Sequence, residues 1–291
     1  MQGSVLVRKF ALPAAGLLLA FAILVLALGA TDRADAKVSI AQKTFTMTDA
    51  NTKTRFTVGC PGRVEPFGGG MITDPPSPDG EGIYPHSYER LGVQHGYHVT
   101  TVLFDPSPSD TQAHNVTLQV ACGKRHSHIT PPHRTEFIAP GQTKTIVVNC
   151  PGNRQLMGGG FQRNDFTAGG GDYINESRAL SSKAWSVTAT AFGGFGGELT
   201  GIAYCLHSKR PLLSEVSNAT TVMPGEFATT TTPACTGAKK LVFGGFSSTP
   251  PGSTLLTDGG FDPSGGWTTG GFNRFGSAPA TVTAYGYCLQ P

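Results

Sequence analysis

The sequence predicts an all-β fold. It reads as three tandem disulfide-stapled antiparallel β repeats, each a small sandwich, or alternatively as one three-sided β-prism. Three observations predict it. The first is an internal repeat. Cys60-Pro61-Gly62 precedes Gly68-Gly69-Gly70-Met71, Cys150-Pro151-Gly152 precedes Gly158-Gly159-Gly160-Phe161, and Cys235-Thr236-Gly237 precedes Gly244-Gly245-Phe246. A register held three times sets architecture before any other signal. The second is cysteine use. Each copy closes on a further cysteine, so Cys60–Cys122, Cys150–Cys205 and Cys235–Cys288 are the expected bridges, one per repeat. The third is composition. Charged residues make up 14% of the chain, against roughly 25% in ordinary globular proteins, and glycine alone contributes 39 of 291 residues.

The elements follow in order. Arg8 and Lys9 precede an apolar run from Phe10 to Ala30, and Ala34-Asp35-Ala36 offers a cleavage site. Residues 1–36 therefore read as a signal peptide, or as a signal anchor if uncleaved, because the run is long enough to span a bilayer. Either reading exports the rest to an oxidising, extracellular space where paired cysteines form bridges. Repeat boundaries fall at 37–125, 126–208 and 209–291. Each repeat opens with an expected hairpin, turning at Asp49-Ala50-Asn51, Pro140-Gly141 and Pro224-Gly225, where these residues supply tight-turn geometry. The glycine-aromatic segment is a third strand. Glycines inside a strand imply a bulge or a backbone packed too closely for a Cβ. A loop-rich middle is expected over 74–95, 164–183 and 247–266. Two closing strands follow: Trp185–Ala191 alternates with period two and Leu199–Cys205 returns, as do Tyr97–Leu103 with Val116–Cys122. His98 is expected in the place held by Trp185 and Trp267. The cysteine separation resembles the inter-sheet bridge of immunoglobulin-like sandwiches.

Cys150-Pro151-Gly152, Gly160-Phe161 and Leu199-Thr200-Gly201-Ile202-Ala203-Tyr204-Cys205 resemble the repeat of the vitelline membrane outer layer protein I family. The match covers mainly the second repeat and implies a three-fold β-prism. More broadly, the chain resembles secreted bacterial proteins built from Cys-Pro-x-Gly…Gly-Gly-Gly-Phe…Tyr-x-Cys modules, most of which have no assigned activity. Neither resemblance carries over a catalytic residue.

For function the residues exclude more than they select. A net charge of +3 makes no electrostatic case for nucleic acid. Gly-x-Ser-x-Gly and His-Glu-x-x-His are absent, and no carboxylate recurs at an equivalent place, so no catalytic residue and no enzyme are expected. No metal or cofactor is expected either. His126, His128 and His133 sit in a basic connector without further ligands at a recognised spacing, and Asp74, Asp79 and Glu81 fit no EF-hand loop. Aromatics at repeat-equivalent places, such as Phe161, Trp185, Trp267, Tyr204 and Tyr287, read as core. Tyr84, Tyr88, Tyr173 and Phe261 fall in the loop-rich middles and are the candidate ligand contacts, because loops at the ends of a β scaffold carry function. The expected partner is a polysaccharide or cell-surface polymer, bound without chemistry. A structural or adhesive role is the alternative, and an envelope-directed hydrolase the third reading. A membrane partner is expected only if the N-terminal segment stays uncleaved. Asn115, Asn175 and Asn218 head glycosylation sequons.

Overall fold

The computed structural model describes residues 38–48, 53–62, 64–73, 82–91, 96–104, 113–124, 129–163, 171–192, 194, 196–208 and 211–289. The N-terminal apolar segment, Asp74, Asp79, Glu81, His126 and His128 lie outside them. Among the described residues there are strands and turns and no helix. Residues 36–291 form one compact unit.

Among the described residues each repeat contributes six strands. The first supplies β1 (Ser39–Met47), β2 (Lys53–Gly59), β3 (Glu65–Thr73), β4 (Gly82–Leu91), β5 (Gly96–Phe104) and β6 (His114–Gly123). The second supplies β7 (His133–Ile138), β8 (Thr143–Asn149), β9 (Arg154–Arg163), β10 (Gly171–Ser181), β11 (Ala184–Phe192) and β12 (Gly197–His207). The third supplies β13 (Leu213–Val222), β14 (Phe227–Thr231), β15 (Lys240–Thr249), β16 (Leu255–Phe261), β17 (Trp267–Phe272) and β18 (Ala280–Leu289).

No repeat is a sandwich, and no sheet belongs to one repeat. The strands form three six-stranded sheets, ordered β1-β6-β3-β16-β17-β14, β2-β5-β4-β9-β12-β7 and β13-β18-β15-β10-β11-β8. Every sheet joins three strands of one repeat to three of another, and all three sheets bury their inner faces in one core. The architecture is therefore a three-sided prism with shared walls. The expected opening hairpins are corners instead. β1 pairs with β6 while β2 pairs with β5, so the two strands stand in different sheets; the expected turn at Asp49-Ala50-Asn51 lies outside the described residues. The expected loop-rich middles contain the fourth strand of each repeat, which makes the joint between repeats: Ser87↔Gln162 and Tyr88↔Phe161, Glu176↔Ser247 and Ser177↔Phe246, and Gly259↔Met71.

The disulfides follow the same geometry. All three predicted bridges are present, with Cα–Cα separations of 5.6, 5.6 and 5.8 Å. Each ties the end of a second strand in one sheet to a sixth strand in the neighbouring sheet, so together they staple all three corners at one end of the prism. Loops of 62, 55 and 53 residues correspond to roughly 4 kcal/mol each in the chain-entropy picture.

The repeated glycines divide the labour. Aligned on the apolar residue that ends the motif, Gly68 and Gly158 take the place of Phe243 in the third copy. A Cβ on Gly68 would run into the Phe243 ring, and one on Gly158 would lie 3.3 Å from it. Two repeats thus yield space near the centre for one aromatic from the third. Phe243 fills it, 5.2 Å from Trp185, 6.1 Å from Trp267 and 6.4 Å from Tyr287. The next glycine of each copy, Gly69, Gly159 or Gly244, lies under the first aromatic of the fifth strand: Tyr97, Trp185 or Trp267. Tyr97, fully buried, holds the place expected for His98. The last glycine, Gly70, Gly160 or Gly245, faces a backbone carbonyl of the adjoining repeat, that of Gly259, Tyr88 or Ser177. Only a missing Cβ lets the two repeats approach closely enough to pair.

A buried side chain latches each joint. The Arg90 N–H donates to the Tyr204 hydroxyl at 2.7 Å and the Ala179 N–H to the Tyr287 hydroxyl at 2.8 Å. The first repeat has Ala121 in the equivalent place. There Gln119 substitutes, accepting from the Phe261 N–H at 2.6 Å and donating to its carbonyl at 3.0 Å.

Candidate binding site at the loop end

The four candidate aromatics do not stand in loops. Tyr84 and Tyr88 are on β4, Tyr173 is on β10 and Phe261 is on β16. Tyr88 and Phe261 are core residues, 5% and 6% exposed. Tyr88 meets the Phe161 ring edge-on at 5.2 Å, and Phe261 meets Trp267 likewise at 5.2 Å. The physical reason is the inter-repeat joint: a strand buried between two others turns its rings inward. Both rings are therefore turned into the core and not towards the surface.

Tyr84 and Tyr173 do come together. Each is the third residue of a fourth strand, at the end of the prism opposite the disulfides. Their rings lie 6.4 Å apart, edge to face. The third repeat adds the loop after β17. Tyr173 also approaches Phe192, the last residue of β11, at 5.2 Å, and Phe275 at 5.7 Å. Phe192 and Phe275 stack at 4.5 Å with an interplanar angle of 25°. The Arg274 guanidinium lies 5.8 Å from the Phe275 centroid, and its charge acts on the Tyr84 phenol. Offset and edge-on ring pairs of this kind add roughly 0.5–1.5 kcal/mol each beyond their burial. The cluster is half open: Tyr84 is buried, Tyr173 and Phe192 are partly covered, and Phe275 is 43% exposed.

Asn273 explains how an exposed ring keeps its place. It is fully buried, and all its polar groups are used. Its N–H donates to the Glu226 carbonyl at 3.0 Å, and its carbonyl accepts from the Gly225 N–H at 2.8 Å. Nδ2 donates to the carbonyls of Val222 at 3.0 Å and Ala278 at 2.9 Å, while Oδ1 accepts from the Gly276 N–H at 3.1 Å. The Phe275 N–H is held by the Ser253 carbonyl at 3.2 Å. One side chain thus ties the loop to the β13–β14 turn, so the Arg274 and Phe275 side chains are presented on a fixed backbone. Such preorganisation lowers the entropy lost when a ligand binds.

Burial raises the phenol pKa of both tyrosines above its ordinary value, opposed chiefly by Arg274 and, at Tyr173, by Arg163 as well. Both phenols therefore stay neutral donors at physiological pH.

A second polar cluster lies on the outer face of the β13–β8 sheet. Glu176 accepts from the Ser186 hydroxyl at 2.5 Å and from Arg178 Nε at 2.9 Å, and the Arg178 guanidinium lies 5.3 Å from the Tyr285 centroid. Its members satisfy one another, which makes it a wall network. Among the described residues no group of three or more His, Cys, Asp or Glu is placed to hold a metal ion.

The sequence singled out Tyr84 and Tyr173, which the fold brings together, but not Phe192, Arg274 and Phe275, which lie beside them. A signal existed in Phe272-Asn273-Arg274-Phe275, an aromatic and basic run between two strands that the other repeats do not share. No protein-family model and no curated protein matches the chain.

Proposed function

We propose that this protein is an exported, non-catalytic module that binds a polysaccharide or other cell-envelope polymer at the loop end of the prism. The observation that carries this reading is the Asn273-pinned loop, which holds Phe275 on Phe192 beside Tyr173 while leaving its ring 43% exposed. An exposed aromatic held rigid by a buried polar network is well suited to stacking on the apolar face of a sugar ring, with Tyr173 as a neighbouring hydroxyl donor. Export is supported by three disulfides, typical of extracellular proteins, and by the apolar N-terminal run. The absence of a recognised catalytic motif in the sequence supports binding without turnover.

The test is a pull-down of the purified exported chain across insoluble polysaccharides and cell-wall fractions, paired with an assay for released reducing sugar. Retention without sugar release is expected. Phe275→Ala should weaken retention about tenfold while the melting temperature stays nearly unchanged, since the ring is half exposed. Release of sugar would replace the reading with a hydrolase. Retention by no polymer would leave the structural role.

A further inference from the structure

The aromatic cluster continues into one wall of the prism. Tyr173 stands opposite Thr190 in the β10–β11 ladder, and Thr190 stands opposite Thr143 of β8. Along β11 the side chains of Trp185, Val187, Ala189 and Ala191 turn into the core. Thr188, Thr190 and Phe192 therefore share the outer face. Two rungs of hydroxyls follow the rings down that face: Thr143–Thr190 at 2.8 Å, then Thr145–Thr188 at 2.8 Å. Thr143 and Thr145 are exposed.

The upper rung is polarised. The Thr190 hydroxyl donates to Asn175 Oδ1 at 2.6 Å. A hydroxyl has one proton, so Thr190 can only accept from Thr143. The Thr143 proton is thereby spent inward, and its exposed oxygen keeps lone pairs for an outside donor. Asn175, 1% exposed, is the extra residue of a β-bulge between the register pairs of Ile174 and Glu176. Its Nδ2 is a buried donor with no hydrogen-bond partner among the described residues. The rung thus holds hydrogen-bonding capacity that the fold leaves unused. Branching at Cβ restricts the threonine rotamers and the paired hydroxyls fix them further, so little freedom is lost when a ligand docks. Thr143 calls for a donor. A sugar hydroxyl supplies one, and an ionised carboxylate has none.

We propose, resting on the binding reading above, that the ligand is an uncharged polysaccharide bound along its length. The Phe275 platform stacks on one sugar unit, and the chain runs on down the β8–β11 wall with its hydroxyls bonded to Thr143 and Thr145.

Isothermal titration calorimetry with cello-, chito- and manno-oligosaccharides of two, four and six units tests this. In any series that binds, six units should bind at least about tenfold more tightly than two. The Thr143→Val, Thr145→Val double variant should lose most of that gain. Thr190 keeps Asn175 as its acceptor in this variant, and melting curves establish that the wall is intact. Phe275→Ala should weaken binding at every length. Thr135→Val is the control: its hydroxyl makes the same kind of pair with Thr200, at 2.7 Å, in the β2–β7 sheet, and length dependence should be unchanged. Equal affinity for two and six units, or a gain that survives the double variant, overturns this inference while leaving the binding function standing. So does a polymer retained in the pull-down when no oligosaccharide binds. Binding to no oligosaccharide and no polymer overturns the function itself.

Discussion

Gly245→Ala tests the claim that the repeats are joined by backbone contact. A Cβ at this position would lie 2.5 Å from the Ser177 carbonyl oxygen and 3.1 Å from the Arg178 Cα. Both are main-chain atoms of β10, so no side chain can swing away. Restoring ordinary contact requires β10 to retreat by about 1 Å from β15. The joint there consists of only two register pairs, Glu176↔Ser247 and Ser177↔Phe246. Losing two hydrogen bonds at about 1 kcal/mol each, together with roughly 1–2 kcal/mol of overpacking, gives about 3–4 kcal/mol. The reduced freedom of the unfolded chain returns about 0.5 kcal/mol. At about 2–4 °C per kcal/mol for a domain of this size, the melting temperature should fall by roughly 5–15 °C. Gly141→Ala is the control. That glycine has φ of +74° and nothing within 4 Å of the added atom, so it bears only the left-handed backbone penalty of about 1 kcal/mol. Thermal unfolding of the oxidised proteins, followed by far-ultraviolet circular dichroism, reads both. A Gly245→Ala melt at or above that of Gly141→Ala refutes the reasoning.

Phe243→Ala should lose about 3–5 kcal/mol by opening a cavity at the centre of the prism. Gly68→Ala, harmful alone because its Cβ runs into the Phe243 ring, should be much better tolerated in the Phe243→Ala background, with a coupling above about 1 kcal/mol in denaturant titrations; additive losses would contradict the central packing. Burial raises the phenol pKa of Tyr97, Tyr204 and Tyr287. A raised folded value leaves stability intact below the unfolded pKa near 10 and lowers it as pH climbs beyond that, so urea midpoints should hold to about pH 9.5 and then fall. Tyr204→Phe should flatten that fall and lower stability at pH 7 by about 1–3 kcal/mol, because the Arg90 N–H loses its acceptor. Expressed through a glycosylating secretory route, the chain should carry glycan at the exposed Asn115 and Asn218 but not at Asn175, which is 1% exposed; intact-mass analysis before and after deglycosylation decides it.

The sequence by itself determined the local features. The alternation from Trp185 to Ala191 gave the core-facing side of β11, where Trp185, Val187, Ala189 and Ala191 are all buried. One opening and one closing cysteine per repeat named all three bridges, because loop closure within a repeat needs no knowledge of the other two. The glycine runs announced close backbone approach, as Gly160 and Gly245 show. Tertiary structure alone decided which backbone they approach. A strand's propensity carries no address for its partner, and the joint between repeats is only one or two residue pairs long, too short to leave a pattern. For that reason the fourth strands read as loops, and Tyr88 and Phe261 looked available when they are core. The opening hairpins misled in the same way: Pro140-Gly141 specifies a reversal of the chain, but only the packing of the sheets decides whether the two arms pair with each other or bend round a corner. The loop-end site was half legible. Tyr84 and Tyr173 carry a sequence signal, whereas their meeting with Arg274 and Phe275 depends on Asn273, whose side chain and backbone bind three separate segments that only the folded prism brings together.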